Sequence, residues 1–155
     1  VAYTNSSISL PATILNEMLR TYVPSVQKRV YPPGIRVDAQ MPRITITPLS
    51  PQDGPTWLGE GFGGYKGKFM NWTFRVDIWD RDPTQIEKIS SEVDYAVWKH
   101  RSYVPTAAAD AAKGEFALLR INGGGAITMN EKFQLYQRTL NVTGLWLSKS
   151  AETWQ

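Results

Sequence analysis

The stretch from Phe69 to Arg101 leaves this chain few folds to choose from. It opens F-M-N-W-T-F-R-V-D-I-W, where Trp72, Phe74, Val76 and Ile78 alternate with Thr73, Arg75 and Asp77. Aromatic and β-branched residues at every second position predict a strand with one buried and one wetter face. Beyond Asp80-Arg81-Asp82-Pro83 the rhythm changes. Ile86, Ile89, Val93, Ala96 and Val97 recur every three or four residues, the apolar stripe of a packed helix. Asp82 stands where an N-cap accepts from the first turn, and Pro83 lacks only a donor that would go unused there. A long strand feeding straight into an amphipathic helix predicts an α+β domain.

The other segments extend that frame. Ile14, Leu15, Met18, Leu19 and Tyr22 form a second helical stripe that opens near Ser9-Leu10-Pro11 and is closed by Pro24. Val1–Ser9 reads as a polar N-terminal arm. Short strands are expected at 35–38 and 44–47, and longer ones at Phe116–Ile121 and Lys132–Leu147. Gly144 reads as a bulge before Trp146, and Thr106–Ala112 as a short helical turn. Residues 50–67, rich in glycine and proline, read as a long flexible loop, and loops of that length are often binding or order-on-assembly segments. Residues 148–155 read as a polar C-terminal tail. The expectation is one domain over 1–155: a single antiparallel sheet of about four to five strands flanked by two main α-helices, with a long Gly/Pro-rich loop.

Composition narrows the chemistry. The 155 residues include no cysteine and one histidine, so neither thiol chemistry nor an ordinary zinc site is available within one chain. No apolar run approaches a membrane span, and no basic-then-apolar leader opens the sequence. The net charge of +3 comes from residues 1–50, with five basic and two acidic side chains. That bias is compatible with a polyanion nearby but lacks the dense basic clusters of dedicated nucleic-acid binders. Gly59, Gly61 and Gly64 match G-x-G-x-x-G, yet the run leads into a strand, not onto a helix N-terminus, which argues against nucleotide binding. His100 reads as a helix-end residue. Asp77, Asp80 and Asp82 read as strand, turn and cap residues before they read as a cation site. No catalytic set is found, and no cofactor or metal is expected. Tyr65, Lys66, Lys68 and Phe69 interleave aromatic and basic side chains in the manner of single-strand binders, which keeps a nucleic-acid-binding module as the alternative from another class.

The order of these features resembles the tail terminator (tail completion) proteins of long-tailed bacterial and archaeal viruses. The residues that carry the resemblance are Leu15 and Leu19 on the first helix, Val30-Tyr31-Pro32, the strand Phe74-Arg75-Val76-Asp77-Ile78-Trp79 with its following helix, and the closing strand Tyr136–Gly144. The resemblance implies a structural virion protein, not an enzyme. It implies a homo-oligomeric, six-fold ring at the head-proximal end of the tail, assembled in the host cytoplasm. Its implied partners are other copies of itself, the tail tube protein, the head-side connector and double-stranded DNA passing through unread, with no membrane. On that basis Trp57, Phe62, Tyr65, Lys66 and Lys68 are candidates for a docking loop. Trp79, Trp98 and Trp146 are candidates for ring contacts, and Arg43 and Arg75 for the DNA-facing lumen. Another neck or head–tail connector component is the neighbouring alternative.

Overall fold

The computed structural model describes residues 3–34, 40–49, 52–56 and 66–150, with side chains placed for 10–34, 40–49 and 69–149. Helix α1 (Tyr3–Tyr22) runs into a 3-10 turn at Pro24–Val26 and strand β1 (Val30–Tyr31). Strands β2 (Arg43–Pro48), β3 (Gln52–Thr56) and β4 (Lys66–Asp80) follow, then helix α2 (Pro83–Lys99) and the short helix α3 (Ala108–Lys113). Strands β5 (Gly114–Gly124), β6 (Thr128–Asn130) and β7 (Leu135–Ser150) complete the chain order.

The α+β class is as the sequence reads. One sheet has the order β1-β2-β4-β7-β5, with β3 added to β4 and β6 to β7. Among the described strands every pairing is antiparallel except β1 with β2. Its spine is the β4–β7 ladder, in unbroken register from Lys66 opposite Ser150 to Asp80 opposite Tyr136. The alternation on β4 explains the layering. Trp72, Phe74, Val76 and Ile78 are buried with Ile44 and Ile46 of β2, Leu140 and Val142 of β7, and the stripes of both helices. On α2 the cap forms as expected, with the Asp82 carboxylate accepting from the Thr84 N–H at 3.0 Å.

Several boundaries differ from the sequence reading. The polar arm at Val1–Ser9 is helical from Tyr3, so α1 passes through Pro11 where a start was expected. The loop at 50–67 contains β3, and β4 begins at Lys66. The pairing partner supplied by β4 overrides the turn-forming residues Asp53, Gly54 and Pro55. The C-terminal strand continues to Ser150, two residues past the expected start of the tail at 148. The short strand at 35–38 lies outside the described residues, as do most of the glycine run and 151–155.

The expected bulge is also misplaced. Gly144 sits in continuous register on the β4 side, and the irregularity is on β5, where Ala117 is the extra residue between Phe116 and Leu118. Gly144 serves close packing instead. A Cβ there would lie 2.7 Å from the Phe116 ring and 2.9 Å from Leu119. Phe116 in turn meets Trp146 edge-on at a centroid distance of 4.8 Å and Phe74 at 6.0 Å.

Candidate functional site

The helix side is closed by polar ties. Glu17 of α1 accepts from the Tyr103 hydroxyl at 2.6 Å and the Thr106 hydroxyl at 3.0 Å, pinning the segment that follows α2. Burial, then that hydrogen bond to Glu17, raises the Tyr103 pKa well above its ordinary value. Glu92 of α2 holds the Ser25 N–H at 3.1 Å and also its hydroxyl. The Val30 carbonyl receives Asn16 and Arg20 of α1. His100 caps the C-terminus of α2, its backbone N–H on Ala96 O, and its ring stacks on Tyr22 at 3.6 Å. Burial, then Lys99, pushes its pKa down. These carboxylates and the imidazole have structural partners. Among the described residues no three His, Asp or Glu side chains converge to hold a metal ion, and no helix is long and apolar enough to cross a membrane.

The opposite face of the sheet carries neither main helix. Arg43, Thr45 and Thr47 of β2 lie opposite Trp79, Asp77 and Arg75 of β4. These in turn oppose Gln137, Thr139 and Asn141 of β7. Asp77 is 3% exposed yet well supplied with donors: Arg75 Nε at 3.1 Å, Gln137 Nε2 at 2.9 Å and the Thr139 hydroxyl at 2.5 Å. At one end the turn after β6 folds over this face, placing Phe133 edge-on to Trp79, whose indole N–H donates to Thr45. The rest stays open as a groove of about 480 Å³ lined by Asn71, Thr73, Arg120, Asn122 and Thr143 together with the apolar Leu118 and Leu145. Arg120 reaches Thr143 at 3.3 Å.

A third region lies at the β5 edge. The segment after α2 runs antiparallel along β5, with Tyr103 O accepting from Phe116 N and Arg101 O from Leu119 N. Beside it Trp98 is 64% exposed and Leu118 46% exposed, and both line a depression between α2 and β5. Arg101 fixes the indole, with its guanidinium carbon 5.2 Å from the ring centroid and its Nη1 on Trp98 O at 2.8 Å.

The sequence candidates therefore fall in different places. Trp79 and Trp146 are interior, which leaves Trp98 as the one candidate for ring contacts that presents its ring outward. Arg43 and Arg75 share the open face of the sheet, Arg43 with its guanidinium 4.3 Å from the Tyr31 ring. Of the docking-loop candidates, Trp57, Phe62 and Tyr65 lie outside the described residues, while Lys66 and Lys68 belong to β4 by backbone. Arg120 and Thr143 were missed; the only signal for them was the alternation of β5 and β7, which puts them opposite each other.

No protein-family model matches the chain, and no curated protein sequence matches it. Among solved structures, a chain from the virion of a native gene transfer agent particle superposes with a TM-score of 0.56 at 12% identity. The match covers 88% of this chain and 97% of that one. The two share a fold. At that identity the likeness speaks for backbone architecture alone, and nearly the whole of the virion chain is accounted for by it.

Proposed function

We propose that this chain is a structural virion protein, a tail terminator that forms a homo-oligomeric ring, caps the tail tube and joins it to the head-side connector. The observation that carries the reading is the fold likeness to a virion chain over 97% of that chain's length. It agrees with the order of helix, strand and closing strand on which the resemblance to tail terminators rests. The residue chemistry supports a structural part: Glu17, Glu92, Asp77 and Asp82 are spent on capping and bracing. Trp98, held outward by Arg101 beside an edge strand, is the group best placed for a contact between ring subunits, since exposed aromatics and arginines anchor interfaces.

The test is the mass of the purified protein by light scattering, with negative-stain images taken alone and with tail tubes. The expected result is a ring of six times the 17.5 kDa chain, formed alone or on tube ends. Trp98→Asp is expected to reduce it to monomer with an unchanged far-UV spectrum. A monomer that ignores tail tubes and binds single-stranded DNA in low salt would overturn the terminator reading in favour of a nucleic-acid module.

A further inference from the structure

The open face of the sheet is chemically one-sided. Its cations are mostly arginines, and they come from different strands: Arg43 from β2, Arg75 from β4 and Arg120 from β5. Of the described carboxylates on its strands, Asp77 is matched by Arg75 and Glu115 by Lys149. Among the described residues, Arg43 and Arg120 have no carboxylate partner; Arg43 rests on Tyr31 and Arg120 on Thr143. Between Arg120 and Arg75 the surface is threonine and asparagine (Thr73, Asn141, Thr143), and between Arg75 and Arg43 lie Thr45, Thr47 and the buried Asp77. The outer side of α2, in contrast, mixes Glu87, Lys88, Asp94 and Lys99.

Register fixes how the arginines are spaced. Arg120 is level with Thr143 and so with Thr73, two residues from Arg75 and two strands away. Arg43 is level with Trp79, four residues from Arg75 on the neighbouring strand. With strands about 4.8 Å apart and a rise of about 3.4 Å per residue, the Cα steps are about 12 Å and about 14 Å. The three therefore step diagonally across the face, from Arg120 beside Leu118 and Leu145 to a half-buried Arg43 at the end where Phe133 covers Trp79. Guanidinium, hydroxyl and amide donors are the groups that contact phosphate oxygens without reading base sequence.

We infer that this face, along the diagonal Arg120–Arg75–Arg43, is the surface that meets the phosphodiester backbone of double-stranded DNA. The inference rests on the proposed function, which requires one face of each subunit to look toward passing DNA, and it names that face. Because Arg75 is partly neutralised by Asp77, the contact is weak and reversible, as suits a strand that slides.

The test uses a mixed-sequence duplex of 30 base pairs with a fluorescent end, titrated with the purified protein at several salt concentrations. Arg120→Glu and Arg43→Glu are each expected to weaken low-salt binding by about tenfold and to flatten the slope of log affinity against log salt by about one. Arg120→Lys should retain most of both. Lys88→Glu, the same charge change on the outer side of α2, should alter neither. Equal weakening by Lys88→Glu and Arg120→Glu would mean that net charge alone is sensed and would overturn the inference. So would the absence of any binding at about 20 mM salt, where phosphate contacts are strongest. Light scattering separates the two readings: a ring whose DNA binding ignores Arg120 refutes only the assigned face, whereas a monomer with Arg120-dependent binding refutes only the terminator.

Discussion

Alternate residues of β4 form two faces that behave as two materials. On one, Trp72, Phe74, Val76 and Ile78 are buried under α1 and α2, and each is constrained by several neighbours at once. On the other, Thr73 and Arg75 meet solvent, and only Asp77 and Trp79 are enclosed. The first face decides the fold, because apolar burial is the largest favourable contribution to it. The second does little for stability over most of its length, so its chemistry is free to serve something outside the molecule. That difference shows where to look for function when Glu17, Glu92, Asp77 and the histidine are engaged in structural contacts.

The comparison breaks most readily on the helix side. Phe74→Ala removes a fully buried ring packed against Trp72 and Phe116, and should cost about 4 kcal/mol in denaturant unfolding. Gly144→Val drives a side chain into Phe116 and Leu119, and is expected to destabilise by about 3 kcal/mol; a loss under about 1 kcal/mol would mean that this part of the core yields easily. Asp77→Ala is the largest polar effect expected on the open face. It strands Gln137 and Thr139 without their shared acceptor, at a cost of about 2 kcal/mol.

Alkaline titration gives a smaller, conditional effect. The raised Tyr103 pKa means that the unfolded chain loses this proton near pH 10 while the folded chain keeps it. The contribution is therefore whole below about pH 10 and is lost as pH rises through the folded value. Tyr103→Phe should flatten the fall in stability above pH 10. Smallest of all, Thr73→Val on the open face should shift stability by under about 0.5 kcal/mol. A larger loss there would erase the distinction between the faces.

What the sequence made legible follows the same division. The alternation of β4, the Asp82 cap and both helical stripes are local patterns, each driven by burial of one face, and they are where the structure puts them. Features that depend on a distant partner were hidden. Gln52–Thr56 has turn-like residues and becomes a strand because β4 offers an edge. The polar start of α1, around Asn5, Ser6 and Ser7, gives no apolar stripe to read, yet it is helical. Trp79 looked outward by parity, but Phe133 returns from the next hairpin to cover it. Arg120 gained meaning only when β5 was set beside β7, since spacing along one strand says nothing about a diagonal across four.

The β4–β7 ladder has a mechanical consequence. Its fifteen paired positions extend about 50 Å, roughly twice the about 26 Å of the seventeen-residue α2 that covers it. Tension applied along the strands at opposite ends loads all of its cross-strand bonds together, in shear, and none can be peeled open first. The chain is therefore stiff along that axis, and a pull on Lys66 reaches Asp80 with little give in between.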